Sequence, residues 1–187
     1  MKETPNLKGA LERLASAARS VGLPFAIIGG LAVILRGYDR ATQDVDALVM
    51  QLDQHLEAFI QAADTHGLKL RISDGVQFAQ HNRVILLEAP DGTTVDVSMG
   101  LLPIEWDVVL AAELLTVAAE LTVPVVTPED LIILKLTAGR KRDYEDVTNL
   151  LELYPEINRP RVAAIVEEYA SLLESPELVT RMKQLLA

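Results

Sequence analysis

The chain has 187 residues, half of them apolar and 24% charged, enough to bury a real core in one compact unit with an appendage. Its 27 acidic residues against 17 Lys and Arg give a formal net charge of -10, which argues against a surface built to grip nucleic acid through phosphates. The absence of cysteine excludes disulfides and thiolate metal sites. The N-terminus lacks a basic-then-apolar secretion pattern, and no apolar run reaches the roughly 18 residues of a membrane span, so a cytoplasmic protein away from membranes is expected.

Thr4-Pro5 reads as a cap followed by proline at the first helical position, and Leu7, Leu11, Leu14, Ala18 and Val21 recur at helical spacing up to Gly22. After Pro24, residues 25–28 form a short apolar run expected to be a buried strand, and Gly29-Gly30 opens a helix through Leu35 that ends near Gly37. A second strand is expected over 44–50. Asp53 is placed to cap a helix running to about His66, closed by Gly67. Residues 68–72, 76–79 and 83–88 have extended character, and Pro90-Asp91-Gly92 is a turn leading into a strand over 93–98. Residues 104–113 suggest a helix and 115–126 one or two strands, before Thr127-Pro128-Glu129-Asp130 announces a helix start. Helices then cover roughly 128–139, 142–153, 159–173 and 176–186. This divides the chain into a core over 1–127 and a helical portion over 128–187.

Three carboxylates stand where strand propensity would not choose them. Alternate side chains of an extended strand share a face, so Asp44 and Asp46 project together while Val45 turns into the core; Asp96 lies inside the later strand between Val95 and Val97. Together they make a hard oxygen site suited to Mg2+ or Mn2+, which keep waters and need only a few carboxylates besides substrate phosphates. Nucleotidyl and phosphoryl transfer ask for such a site, because the ions neutralise phosphate charge and align the attacking and leaving oxygens. The Gly29-Gly30 turn would let backbone amides approach phosphate, although a diglycine before a helix also serves simply as a tight turn.

These residues resemble the DNA polymerase β-like nucleotidyltransferase superfamily: a Gly-Gly or Gly-Ser turn, a short helix, Asp-x-Asp on a strand and a third Asp on a later strand. Gly29, Gly30, Asp44, Asp46 and Asp96 carry the match. Within it, Gly-Gly-Leu-Ala followed by Gly-Tyr-Asp-Arg-Ala-Thr-Gln-Asp-Val-Asp looks most like the AbiEii-type toxin nucleotidyltransferases, as does the later segment around Thr127 to Lys135 and Arg142 to Asp146. The resemblance spans about residues 25 to 150. It implies an α+β fold in which a mixed twisted sheet flanked by helices carries the three aspartates, with a C-terminal helical portion closing the site. It also implies metal binding by Asp44, Asp46 and Asp96, with activation of the acceptor hydroxyl as a further role for Asp96. Lys135 would approach nucleotide phosphates, Asp146 would orient it or a neighbouring basic residue, and Gly29, Gly30, Arg40 and Thr42 would line the nucleotide. The serine that often follows the first glycine is here Gly30, so a phosphate-binding hydroxyl is missing from that position.

The expected activity is magnesium-dependent transfer of a nucleoside monophosphate from a nucleoside triphosphate to a hydroxyl of tRNA, protein or a small molecule. The rival is a catalytically silent module of the same fold that binds nucleotide or a partner protein, such as a cognate antitoxin. Plainer readings stand beside each residue. Asp44 and Asp46 also fit a solvated strand end, Lys135 a snorkelling lysine on an amphipathic helix, and Arg140-Lys141-Arg142 a solvated run at a helix junction. His55, His66 and His81 have no ligand spacing, and Trp106 is expected in the core.

Overall fold

A computed structural model describes residues 5–186. Thr4, expected to cap the first helix, lies outside the described residues; the cap is instead Asn6, whose side chain accepts from the Gly9 N–H, and the helix α1 is Leu7–Val21. Next come β1 (Phe25–Ile28), α2 (Gly29–Leu35), β2 (Asp44–Val49), α3 (Leu52–Thr65), β3 (Lys69–Leu70) and α4 (Gly75–Asn82). They are followed by β4 (Val84–Glu88), β5 (Thr94–Met99), α5 (Pro103–Leu110), β6 (Glu113–Ala118) and β7 (Leu121–Val125). The last helices are α6 (Pro128–Ala138), α7 (Lys141–Leu153), α8 (Arg159–Leu172) and α9 (Pro176–Leu186). No helix among the described residues is long and apolar enough to cross a membrane.

The chain forms two compact units, one of residues up to 35 with 40–126, the other of 36–39 with 127 onward. In the first, seven strands make one sheet in the order β3-β4-β5-β2-β1-β7-β6. Pairing is parallel between β2 and β5 and between β1 and β7, and antiparallel elsewhere, so the sheet is mixed. Period-two alternation decides what is buried: Val45, Ala47, Val95 and Val97 are fully buried, while Asp44, Asp46, Thr94 and Asp96 are only half-buried. Helix α1 packs on β2 and β5 and against α3, whose Phe59 is fully buried. Burying such a side chain contributes about 1.5–3 kcal/mol, so the core rather than helix propensity holds these layers.

In the second unit Thr127 caps α6 by accepting from the Asp130 N–H, with Pro128 in the first turn. Buried Asp130 takes a 2.8 Å ion pair from Arg161 of α8. Residues 36–39 are tied here too: the Tyr154 hydroxyl donates to the Arg36 carbonyl at 2.6 Å.

Several local expectations need correction. Residues 76–79 are not extended but lie in α4: Gln77, Ala79 and Gln80 favour helix, and the i, i+4 pair Gly75 and Ala79 is buried, as one helix face requires. The strand expected over 68–72 shrinks to Lys69–Leu70. Trp106 is half-buried on α5 rather than in the core.

Asp53 does not cap α3; the cap position is Gln51, at φ 63°, and Asp53 sits in the first turn. Its carboxylate accepts from Arg83 Nη1 and Nη2 at 2.9 and 3.0 Å, and these bonds hold the Asp53 carboxyl below its usual range. Because the folded value lies below the unfolded one, the pair stabilises above about pH 4 and loses that contribution as pH falls through the folded value. Asp53 is half exposed, so Asp53→Asn should cost less than about 1 kcal/mol at pH 7. Urea melts at pH 7 and pH 2.5 check this: the gap between variant and wild type should close at the lower pH.

Candidate active site

The site begins at the end of β1. Ile28 pairs with Asp46 across the antiparallel β1/β2 ladder, so the chain turns into α2 beside the Asp46 side chain. Gly29 makes that turn at φ 66°, in the left-handed region, and a β-carbon on it would fall 1.9 Å from Asp46 Oδ2 and 2.6 Å from Asp46 Cβ. Glycine is therefore required twice, by conformation and by the carboxylate lying against its bare Cα. At Gly30 a β-carbon would lie 2.6 Å from Thr42 Oγ1 and 3.1 Å from Arg40 Nη2. The hydroxyl beside this position is therefore that of Thr42, which donates to Asp44 Oδ1 at 2.7 Å.

Strands β2 and β5 run parallel with Asp44 opposite Thr94 and Asp46 opposite Asp96. Residues paired in this way point to the same side of a sheet, so Asp44, Asp46 and Asp96 share one face on two neighbouring strands. All three are half-buried, open enough for a ligand. Among the described residues, no three carboxylate or imidazole side chains stand together as a metal-holding group. The donors nevertheless suit a divalent ion: they are hard oxygens on rigid strands, and the bare Gly29 Cα leaves the Asp46 carboxylate its place.

One member of this face was not legible in the sequence. The Arg71 N–H donates to the Leu86 carbonyl at 2.9 Å, continuing the β3/β4 ladder, and Leu86 pairs with Asp96. Arg71, Leu86, Asp96 and Asp46 thus form a row across the sheet, and Arg71 Nη2 reaches Asp96 Oδ1 at 3.1 Å. Only strand register creates that meeting, and no sequence spacing signals it.

The structure thus brings Gly29, Gly30, Arg40, Thr42, Asp44, Asp46 and Asp96 into the sheet unit and places Lys135 and Asp146 in the helical one. There the Lys135 ammonium on α6 is buried between two carboxylates of α7, 2.9 Å from Asp143 Oδ1 and 2.8 Å from Asp146 Oδ2. Asp143, absent from the sequence-based candidates, also accepts from the Arg140 N–H at 3.1 Å.

The fold is that of several solved nucleotidyltransferases. The solution structure of the antibiotic-resistance factor ANT(2'')-Ia covers 91% of this chain and 97% of its own, with a TM-score of 0.58 at 16% identity. The crystal structure of ANT(2'')-Ia with adenylyl-2''-tobramycin covers 87% and 96%, with a TM-score of 0.57 at 15% identity. The lincosamide antibiotic adenylyltransferase LnuA, lincomycin-bound, covers 81% and 99%, with a TM-score of 0.55 at 16% identity. No curated protein matches the sequence. The model of a family described as nucleotidyltransferase of unknown function (DUF6036) matches residues 6–186, nearly the whole chain, and the protein therefore belongs to that nucleotidyltransferase family.

Proposed function

We propose that the protein transfers a nucleoside monophosphate from a nucleoside triphosphate to the hydroxyl of a small molecule, in the cytoplasm, using Mg2+ or Mn2+ held by Asp44, Asp46 and Asp96. The observation that carries this reading is the register of β2 and β5, which sets Asp46 beside Asp96 with Asp44 two residues away on the same face. A bound divalent ion would neutralise triphosphate charge and align the reacting oxygens. Thr42 orients Asp44 through its hydroxyl, and Gly29 leaves Asp46 its space. The acceptor oxygen bonds to the α-phosphorus, the bond to pyrophosphate breaks, and Asp96 receives the hydroxyl proton.

Two facts favour a small-molecule acceptor over tRNA. LnuA was solved with lincomycin and ANT(2'')-Ia with adenylyl-2''-tobramycin, and a net charge of -10 opposes a polyanionic partner. A second reading, a silent module that binds nucleotide or a partner such as an antitoxin in an AbiEii-like pair, is favoured by Gly30, which stands where the family pattern often has a serine hydroxyl.

Thermal unfolding with Mg2+ and each nucleoside triphosphate, in wild type and in Asp44→Ala/Asp46→Ala, separates these readings. At a ligand concentration of 100 Kd the wild type should gain about 2.7 kcal/mol and the double variant nothing. Transfer of α-labelled nucleotide to aminoglycoside, lincosamide or other hydroxyl-bearing acceptors then supports the enzyme. Binding without transfer to any acceptor tried favours the silent module that holds nucleotide, and no stabilisation in the wild type sinks the enzyme and leaves only the module that binds a partner protein.

A further inference from the structure

We propose that Arg71 is a resident counter-cation of the carboxylate face: by holding Asp96 it limits how tightly the face takes a divalent ion before nucleotide arrives. The inference rests on the nucleotidyl-transfer reading and assigns a positioning residue within it.

Asp44, Asp46 and Asp96 set three carboxylates on one face of two adjacent strands, and a cation beside them eases their mutual repulsion. Arg71 supplies one from the same unit. Its backbone is fixed opposite Leu86, and Leu86 opposite Asp96, so two strand spacings, about 9–10 Å, separate the Cα atoms of Arg71 and Asp96. An extended arginine covers most of that distance and delivers the guanidinium to Asp96 Oδ1 at 3.1 Å. The side chains are 29% exposed for Arg71 and 35% for Asp96, while the Asp96 Oδ1 beside the guanidinium is itself closed off from solvent.

A guanidinium and a divalent ion on one carboxylate compete. Either the ion displaces Arg71 from Asp96, or it binds with a unit positive charge a few ångströms away. Both lower its affinity relative to a face without Arg71. A triphosphate changes the balance, because its negative charge attracts the ion and the guanidinium together and removes the reason for their competition. The ion would thus be drawn in with nucleotide rather than held alone. In this arrangement Asp96 also faces a fixed positive charge when no ion is present.

The test is Mn2+ binding without nucleotide, followed by the electron paramagnetic resonance signal of the free ion, in wild type, Arg71→Gln, Arg71→Met, Arg71→Lys and Asp46→Asn. Removing the positive charge in Arg71→Gln or Arg71→Met should tighten Mn2+ binding about tenfold, the scale of a unit charge near a divalent ion in a largely aqueous, salt-screened setting. Arg71→Lys keeps the charge and should stay within about threefold of wild type on the same Coulomb argument. Melting curves add a readout of opposite signs. The neutral variants should be less stable than wild type without metal and gain more from Mn2+, whereas a merely structural arginine would lower stability without raising affinity. Unchanged or weaker Mn2+ binding in both neutral variants, with native circular dichroism, overturns the role of Arg71 while leaving the carboxylate site standing. Mn2+ binding that is the same in Asp46→Asn as in wild type overturns the site itself, and this inference with it.

Discussion

Gly29→Ala should destabilise the protein by about 2–5 kcal/mol and abolish nucleotide binding. Two costs add. An alanine at φ 66° carries about 1–2 kcal/mol of left-handed strain, and a methyl forced into a filled space costs a further 1–3 kcal/mol. The second cost is specific, because the methyl would fall 1.9 Å from Asp46 Oδ2 and 2.6 Å from Asp46 Cβ. Rotating the carboxylate away cannot relieve the overlap with Cβ, which β2 fixes through its pairing with both β1 and β5. The backbone at the end of β1 must shift, or Asp46 must leave its place on the face. A double-mutant cycle with Asp46→Gly measures the contact: the pair should couple by about 1–3 kcal/mol, with the conformational strain left over in the double variant. Urea melts showing Gly29→Ala within 0.5 kcal/mol of wild type would remove the close approach on which the site geometry rests.

That contact shows which parts of the site the sequence could express. Asp44 and Asp46 are two residues apart on one strand, so their shared face follows from strand periodicity alone, and the Gly29-Gly30 turn lies a short helix away. Their partners across the sheet are different. Asp96 joins Asp46 because β2 and β5 run parallel in one register, a fact recorded nowhere in local spacing; the sequence marks Asp96 only as a charge inside an apolar strand and through the family resemblance. Arg71 lies one strand further out, beyond Leu86, and nothing near it in the chain marks it. Residues 76–79 failed for another reason: a four-residue stretch with a valine and a phenylalanine two apart suits either period, and the buried pair Gly75 and Ala79 settles it as helix. The helical unit was the most legible, because its starts and stops are chemical: Thr127 caps α6, Pro128 opens it and Gly139 ends it at φ 67°.

Lys135→Met should cost the helical unit about 3–5 kcal/mol, the largest single-residue stability loss expected here. The sequence leaves two readings of Lys135, one in which it reaches nucleotide phosphates and one in which its stem lies on an apolar helix and its head reaches water. The structure instead buries the ammonium, 7% exposed, between Asp143 and Asp146, which are themselves 5% and 3% exposed. The two aspartates are three residues apart on α7 and so share a face, while Leu131, Ile132 and Leu136 bury the apolar side of α6 around the lysine. One cation therefore joins two helices through two carboxylates at 2.9 and 2.8 Å. Methionine keeps the volume and removes the charge, leaving two adjacent buried carboxylates without it, which is the costly direction of change. Neutralising the acids at the same time, in Lys135→Met/Asp143→Asn/Asp146→Asn, should recover much of the loss, because an uncharged cluster has no buried charge left to compensate. Chemical denaturation of the single and triple variants checks both statements. If Lys135→Met melts within 1 kcal/mol of wild type, the lysine works as an exposed surface charge, and the buried ion triad is not what joins α6 to α7.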